Sequence, residues 1–400
     1  MAGSTVSRVS AAATHTSSDH ALLLDCALSL RVRVAFVAPS LRILGGQAVQ
    51  ADRLLRRWRG DPDVEAWLVP VNPVPPAPLR FATRLKYART VVTESTYLPQ
   101  LVRQLRRADV AHVFSASYSS FLLAPLPAIV AARALGTPVV LNYRSGEAPD
   151  HLRRSAVARR AIASVDRNVV PSRFLVDVFA SFGIEASIVP NIVDGDRFRY
   201  RERRPLRPRL LSTRNFDELY NVSCTLRAFR LVQDRYPEAS LTLVGGGPEE
   251  ARLRALAREL DLRQVAFAGR VDPDAIADVY RHHDIYVQTP NIDNMPTSVI
   301  EAYASGLPVV STEAGGVPAI LVDGVHGRLA PLDDHAAVAA RVLELLGDEE
   351  SARRLAANAY ERSRACTWSA VREQWLDVYR SVLRRPRVAA SPAHIGERLV

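Results

Sequence analysis

The sequence predicts an α/β protein in which two Rossmann-like domains face each other across a cleft and are followed by C-terminal helices. Short apolar runs alternate with amphipathic stretches, which is typical of the strands and helices of a parallel sheet. The alternation occurs in both halves, and residues 190–209 between them are rich in proline and arginine. With 400 residues, 48% of them hydrophobic, the chain can form two domains of ordinary size.

The first half begins with an apolar strand at 32–37, followed by Gly45 and Gly46 and by a helical pattern over 47–58. The proline-rich stretch 70–78 can be neither a helix nor a central strand, so we expect a loop there. Further strands are predicted at 66–69, 110–114, 138–141, 167–170 and 186–189.

The second half repeats the alternation more clearly. Strands are predicted at 209–212, 240–244, 265–268, 284–288 and 308–311. Helices are predicted at 219–233, 249–260, 274–281 and 296–305, and one long helical stretch fills 336–383.

These patterns divide the chain into five segments. Residues 1–30, rich in Ser, Ala and Thr and without a period, are expected to be a disordered leader. The other segments are an N-terminal domain at 31–200, a C-terminal domain at 201–365, a helix at 366–384 that can cross back to the first domain, and a tail at 385–400.

The composition excludes several classes of protein. No stretch approaches the roughly 18 to 20 uncharged apolar residues of a membrane-spanning helix. Cys26, Cys224 and Cys366 are too far apart for a metal site or a disulfide framework, which favours a cytoplasmic location. No glycine loop continues into Gly-Lys-Ser/Thr, which excludes a Walker A phosphate loop. No aromatic ladder for single-stranded nucleic acid occurs, so we expect no nucleic-acid partner.

The positive charge is concentrated in the first half. Residues 1–200 contain 25 Lys and Arg against 15 Asp and Glu, whereas residues 201–400 contain 27 of each. This asymmetry indicates an anionic partner: a phospholipid surface such as the inner face of the cell membrane, a phosphorylated acceptor or nucleic acid. A bias toward arginine or ordinary solvated helix faces would give the same pattern. The candidate basic face comprises Arg80, Arg84, Lys86, Arg89, Arg103, Arg106, Arg107, Arg153, Arg154, Arg159 and Arg160.

Polar residues and glycines follow several of the predicted strands, where parallel sheets bind ligands. The glycine pairs 45–46 and 315–316 and the triplet 245–247 can expose amides to a phosphate, or can simply make turns. Asp293 precedes a predicted helix and Glu301 lies inside it, amid apolar residues. Either carboxylate can accept hydrogen bonds from sugar hydroxyls. Alternatively, Asp293 balances the helix dipole and Glu301 is simply solvated. Arg214 follows a strand and suits a diphosphate, because a guanidinium makes bidentate contacts.

Several segments, taken together, resemble the GT-B glycosyltransferases of family 4, which are retaining enzymes that use nucleotide sugars. The resemblance extends from Val32 to about Leu383 and is carried mainly by the second half. The matching segments, in this order and spacing, are 190–194, 244–248, 267–271, 293–310 and 315–318.

The resemblance implies a role for each matched position. Glu301 would bind the ribose, Arg214 the diphosphate, and Asp293 the donor sugar. The remaining contacts would come from backbone or loop positions: Asn294, Met295 and Pro296 at the sugar, Gly269, Arg270 and Val271 beside the base, and Gly45 and Gly46 at the leaving phosphate. No cofactor and no metal is implied, because the nucleoside-diphosphate sugar is itself the donor substrate.

The sequence departs from the family pattern at three places. Asp293 stands where a glutamate is usual, and no lysine occurs in 217–221, where the family usually has one. The first-domain loop that often carries His-Gly contains Arg144 and Glu147 instead, and either residue can take over part of that role.

The resemblance implies a hexosyltransferase that moves a sugar to a glycan, glycolipid or lipid-linked acceptor, as in polysaccharide biosynthesis. Two alternatives stay open. One is a sugar-nucleotide epimerase on the same fold, and the other is a non-catalytic scaffold that binds a nucleotide sugar.

Overall fold

A computed structural model describes residues 31–42, 45–77 and 86–384 of the chain. The predicted leader and tail lie outside these residues, as do Arg80, Arg84 and Cys26 and the side chains of Lys86 and Arg89.

The first half forms a parallel six-stranded sheet in the order β2-β1-β3-β4-β5-β6. Its strands are β1 (Val32–Ala38), β2 (Val64–Pro70), β3 (Val110–Ser115), β4 (Val139–Tyr143), β5 (Arg167–Val170) and β6 (Ser187–Ile188). Its helices are α1 (Gly46–Trp58), α2 (Lys86–Leu105), α3 (Tyr118–Leu123), α4 (Pro125–Ala134), α5 (Ala148–Arg154), α6 (Ala156–Ala163) and α7 (Arg173–Ala180).

The second half forms another parallel six-stranded sheet in the order β12-β11-β10-β7-β8-β9. Its strands are β7 (Arg209–Ser212), β8 (Ser240–Val244), β9 (Val265–Gly269), β10 (Ile285–Gln288), β11 (Val309–Thr312) and β12 (Arg328–Ala330). Its helices are α8 (Val222–Arg235), α9 (Glu250–Glu259), α10 (Ile276–Arg281), α11 (Thr297–Ser305), α12 (Val317–Ile320), α13 (His335–Gly347), α14 (Glu349–Ser363) and α15 (Trp368–Leu383). The predicted α/β class with two Rossmann-like sheets is confirmed.

The helical stretch predicted over 336–383 is not continuous. Asp334 accepts a hydrogen bond from the Ala337 amide at the start of α13, and Asp348 accepts one from the Ser351 amide at the start of α14. Each aspartate therefore begins a new helix by capping its first amides. A 3-10 turn at Arg364–Cys366 then separates α14 from α15.

The last helix, α15, packs on the first sheet. Trp375 and Tyr379 are buried in the same hydrophobic cluster as Val34 and Phe36 of β1. Arg372 of this helix also donates to Asp61 at 2.8 Å, in the turn before β2. The C-terminal end of the described chain therefore contributes to the hydrophobic core of the first half.

No helix among the described residues is long and apolar enough to span a bilayer. The two sheets instead direct the carboxyl ends of several strands toward a common cleft. The loops after β1, β4, β7, β8 and β10 all contribute residues to that cleft. It is the place where open α/β sheets bind their ligands.

Candidate active site

A cavity of about 370 Å³ lies in this cleft and is lined from both halves of the chain. Its size suits a small-molecule substrate. Of the predicted site residues, Gly269 alone does not line it. The cavity contains Gly45, Gly46, Arg144, Glu147, Arg214, Arg270, Val271, Asp293, Asn294, Met295, Pro296 and Glu301.

Arg214 and Asp293 form an almost fully buried ion pair in the second-half wall, which is the side of the cavity that residues 209–330 provide. Arg214 lies two residues beyond β7, and its Nη2 donates to Asp293 Oδ2 at 2.6 Å. Its Nη1 donates to Ser298 Oγ at 3.2 Å, and the guanidinium stacks 4.0 Å above the ring centre of Tyr220. Burial alone would lower the pKa of Arg214, but attraction to Asp293 and neighbouring tyrosines raises it, so the charge is secure.

The loop 293–296 is held tightly against two glycines. A Cβ on Gly315 would lie 2.2 Å from the Asp293 carbonyl oxygen, and one on Gly316 would lie 2.3 Å from that of Asn294. Gly315 also has φ +50°, which a side chain disfavours. The pair 315–316 therefore positions the acidic loop by close backbone contact.

Both carboxylate oxygens of Asp293 are engaged inside the protein. Oδ2 accepts from Arg214, and Oδ1 accepts from the Asn294 amide at 2.8 Å. The loop is also tied to the linker, because Asn191 Nδ2 donates to the Met295 carbonyl at 2.7 Å. Asp293 is thus a fixed acceptor at the cavity wall.

Glu301 lies in the first half of α11 and is 7% exposed. Its Oε1 accepts from Arg53 Nη2 at 2.5 Å, and its Oε2 accepts from the Tyr280 hydroxyl at 3.0 Å. Burial and the nearby Glu301 charge raise the pKa of Tyr280 well above its usual value, so the hydroxyl keeps its proton and donates. Arg53 belongs to α1, so this ion pair closes across the cleft.

The glycine triplet 245–247 packs against the chain that follows β7. A Cβ on Gly245 would lie 2.1 Å from the Arg214 carbonyl oxygen, and one on Gly247 would lie 2.5 Å from that of Phe216. The Gly245 amide donates to the Gly269 carbonyl at 2.9 Å. This triplet allows a close approach of backbones around Arg214, and Gly269 supports it from outside the cavity.

The opposite side of the cavity is the first-half wall, which contains Gly45, Gly46 and the loop after β4. Gly45 caps α1 without any side-chain hydrogen bond, and no atom of the described residues lies within 4 Å of a Cβ placed on either glycine. Arg144 has no carboxylate partner among the described residues, and burial lowers its pKa to about 9. Glu147 turns to Ser145, whose Oγ donates to Oε2 at 3.5 Å.

Arg270 and Val271 line the cavity beyond the end of β9. Arg270 is exposed and Val271 is half-buried. No group of three or more His, Cys, Asp or Glu that could hold a metal ion occurs in the parts of the chain that the structure describes.

Sequence reasoning did not identify Arg53, Gln50 or Tyr280 as site residues. Gln50 and Arg53 lie one turn apart on α1, and Gln50 Nε2 donates to the Ile192 carbonyl at 2.9 Å. Arg53 is one of 51 arginines in the chain, and its carboxylate partner is 248 residues away. Helical spacing could have indicated a polar face on α1, but it could not have identified the partner.

Two family models divide the chain between them. "Glycosyltransferase Family 4" matches residues 44–197, and "Glycosyl transferases group 1" matches residues 197–362. The boundary between the two matches lies in the proline- and arginine-rich linker.

Curated relatives agree with these matches. A phosphatidyl-myo-inositol mannosyltransferase of Mycobacterium leprae is 32% identical over 50% of this chain and 55% of its own. The sulfoquinovosyl transferase SQD2 of Arabidopsis thaliana is 24% identical over 71% and 59%. A D-inositol 3-phosphate glycosyltransferase of Acidothermus cellulolyticus is 26% identical over 96% and 92%. The chain spans little more than half the length of the first two.

The chain belongs to the family-4-like GT-B glycosyltransferases. Solved structures share the fold of this GT-B protein. Anabaena Alr3699/HepE in complex with UDP-glucose aligns with a TM-score of 0.69 at 16% identity, over 88% of this chain and 100% of that one. Sucrose-phosphate synthase from Thermosynechococcus elongatus aligns with a TM-score of 0.68 at 20% identity, over 88% and 99%.

Proposed function

We propose that this protein transfers a sugar from a nucleoside-diphosphate sugar to a hydroxyl of an acceptor, with retention of anomeric configuration. The observation that carries the proposal is the convergence of Arg214, Asp293 and Glu301 in one cleft between two Rossmann-like sheets. All three are held by buried or partly buried hydrogen bonds, so the cleft presents a fixed set of charges to a substrate.

The donor fits the second-half wall. Arg214 offers a guanidinium to the diphosphate, and Glu301 offers two acceptor oxygens to the ribose hydroxyls once Arg53 is displaced. Asp293 and the backbone of 294–296 would meet the sugar, while Arg270 and Val271 would lie beside the base. The fold neighbour from Anabaena was solved in complex with UDP-glucose, which supports testing uridine donors first.

The chemistry would be a front-face displacement without a covalent protein intermediate. The anomeric carbon–oxygen bond to the diphosphate breaks and its electron pair passes to the leaving oxygen. The acceptor oxygen then bonds to the same face of the anomeric carbon and gives its proton to that leaving oxygen. Asp293 suits a positioning role here, because Arg214 and the Asn294 amide already occupy its oxygens.

Negative charge grows on the diphosphate as the bond breaks, and the main task of the protein is to stabilise that charge. Arg214 lies where it can meet that charge, and the amides at the open N-terminus of α1 can meet it from the other half. We propose that these groups suffice without a metal cofactor.

We propose a glycan, glycolipid or lipid-linked acceptor that meets the first-half wall. The names of two relatives mention a phosphatidyl-myo-inositol and a D-inositol 3-phosphate, which supports this choice.

Contact with the cytoplasmic surface of a membrane is part of this proposal. Arg103, Arg106 and Arg107 at the end of α2 are exposed and form no ion pair with another described residue, whereas Arg153 and Arg154 are paired with Asp150. Flotation with vesicles should therefore depend on anionic lipid and on salt. Binding that depends on neither would remove the membrane from the proposal.

The proposal is tested by transfer assays with UDP- and GDP-sugars, inositol phosphates and lipid acceptors, with and without EDTA. We expect product of retained configuration in EDTA and complete loss of transfer in Glu301→Ala, whose folding is checked by circular dichroism. Turnover retained in a folded Glu301→Ala would contradict the site assignment. Conversion of the donor without an acceptor would indicate an epimerase instead.

A further inference from the structure

Arg144 is a partly buried cation at the cavity wall for which the folded chain supplies no anion among the described residues. It follows β4, and its Nη1 donates to Asn142 Oδ1 at 3.1 Å. Its Nη2 is buried and has no hydrogen-bond partner in the part of the chain that the structure describes. A guanidinium that is partly withdrawn from water and has no carboxylate partner costs stability, so its retention needs a reason.

The other buried cations of the cavity are already neutralised. Arg214 pairs with Asp293 at 2.6 Å, and Arg53 pairs with Glu301 at 2.5 Å. Glu147 lines the cavity but makes no ion pair with Arg144. Among the described residues, the first-half wall therefore carries one uncompensated positive charge in addition to the groups proposed for the diphosphate.

A fully buried relay holds Arg144 from behind. Asn142 Nδ2 contacts His112 Nε2 at 3.0 Å, and His112 Nδ1 contacts the Tyr379 hydroxyl of α15 at 2.8 Å. The Phe114 ring lies 5.5 Å below the guanidinium. These contacts restrict the rotamers of Arg144 and hold its positive charge at the cavity wall, as a preorganised binding group requires.

The same wall carries the N-terminus of α1, a helix of 13 residues. Gly45 caps it without a side-chain hydrogen bond, and no acidic residue lies in its first turn. Its amides and its dipole therefore add positive potential on the side where Arg144 lies.

We propose that Arg144 binds a second oxyanion, a carboxylate, phosphate or sulfonate carried by the transferred sugar or by the acceptor. This inference rests on the proposed function, since the donor diphosphate is assigned to Arg214 and to the amides of α1. Arg144 then selects anionic substrates over their neutral counterparts. A single charge-assisted contact of this kind corresponds to about a 10- to 100-fold difference in affinity.

The donor arm of the test measures binding of UDP, UDP-glucose and UDP-glucuronic acid by calorimetry. The acceptor arm measures binding of inositol and inositol 3-phosphate to the protein saturated with UDP. Both arms use wild type, Arg144→Gln, Arg144→Lys and Arg59→Gln. Arg59 is exposed and forms no ion pair with another described residue, so its variant controls for the loss of one positive charge.

We expect the anionic ligand to bind at least tenfold more tightly than its neutral counterpart in one arm, which identifies the source of the oxyanion. That preference should vanish in Arg144→Gln, weaken in Arg144→Lys and persist in Arg59→Gln, while UDP affinity stays constant. Removing the unpaired charge should also raise the midpoint of thermal unfolding of the empty protein, so Arg144→Gln should fold.

Two results would overturn the inference. One is equal binding of anionic and neutral ligands in both arms. The other is a loss of UDP affinity in Arg144→Gln that equals the loss for UDP-glucuronic acid, because it would place Arg144 at the donor diphosphate. If wild type binds no nucleotide at all, the proposed function itself fails, which is a different result from either.

Discussion

At the scale of single residues, the contact between Arg53 and Glu301 sets up a competition with the ribose. Glu301 has two carboxylate oxygens, and both accept hydrogen bonds from other side chains of the protein. A ribose that takes Oε1 must displace Arg53 Nη2, whereas Arg53 Nη1 already donates to the Ile192 carbonyl at 3.3 Å. Arg53 would therefore neutralise Glu301 in the empty enzyme and release it on binding.

This competition predicts opposite effects for two substitutions. Glu301→Gln should weaken nucleotide binding at least tenfold, because the ribose loses a charged acceptor. Arg53→Gln should bind nucleotide as tightly as wild type or more tightly, because the competitor is gone. Calorimetry on both variants measures their affinity for the nucleotide. An equal loss of affinity in both would mean that Arg53 itself contacts the nucleotide.

The burial of His112 predicts that the free energy of unfolding decreases as the pH falls. Burial lowers the pKa of His112 well below 6.5, so the folded protein keeps it neutral while the unfolded chain takes up a proton below pH 6.5. Stability is therefore lost as pH falls through 6.5, by about 2 kcal/mol for this group between pH 7 and pH 5.

Urea unfolding at pH 7, 6 and 5 checks this contribution in wild type and His112→Phe. The variant should lose less stability than wild type as the pH falls. His151, His283 and His326 also have lowered pKa values, but they are present in both proteins and cancel in the difference. Parallel pH profiles would show that His112 does not carry the effect.

At the scale of elements, the acidic loop depends on the turn after β11. Gly315→Ala should place a methyl group against the Asp293 carbonyl and strain the backbone at φ +50°. We expect a loss of about 1 to 3 kcal/mol of stability and roughly 100-fold of transfer, because Asp293 would be displaced.

Unfolding and transfer assays on Gly315→Ala, Gly316→Ala and Gly347→Ala test this dependence. Gly347 ends α13 with nothing within 4 Å of its Cβ position and without a positive φ, so its variant is the matched control and should behave like wild type. Full activity in Gly315→Ala would show that the loop does not need this close contact.

Most strands were predictable because local patterns determine them, whereas β12 and the first-half helices α2 to α7 were not predicted. Alternating apolar runs gave β5, β7 and β8 with their observed bounds. The break between α13 and α14 was missed, because the apolar period continues across Asp348 and only the capping bond reveals the stop. The start of α8 was placed early, because the sequence did not show the 3-10 turn at Glu218–Tyr220.

At the scale of the whole molecule, α15 joins the end of the chain to the first sheet. Trp375 is buried against His112, with ring centres 4.6 Å apart, and Tyr379 of the same helix contacts that histidine. The relay behind Arg144 therefore depends on a helix more than 200 residues further along the chain. The sequence predicted that a C-terminal helix can cross back to the first domain. It did not identify the residues that this helix contacts there, and it did not identify the pairing of Arg53 with Glu301.

The substitution Trp375→Ala tests how strongly the stability of the first half depends on α15. Emptying a buried tryptophan site should cost about 3 to 5 kcal/mol of unfolding free energy. Gln374→Ala, on the exposed face of the same helix, should change it by less than about 0.5 kcal/mol. Urea unfolding measures both. A small loss in Trp375→Ala would mean that the first sheet does not need this helix.

The central claim is that the cleft binds a nucleoside diphosphate without a metal. Thermal unfolding with UDP, GDP, ADP and TDP, each with and without EDTA, tests it most directly. A nucleotide at about a hundred times its dissociation constant stabilises the folded state by roughly 2.7 kcal/mol, which raises the unfolding midpoint by a few degrees. We expect such a shift with one of the four, unchanged by EDTA. No shift with any of them, or a shift that EDTA abolishes, would contradict the claim.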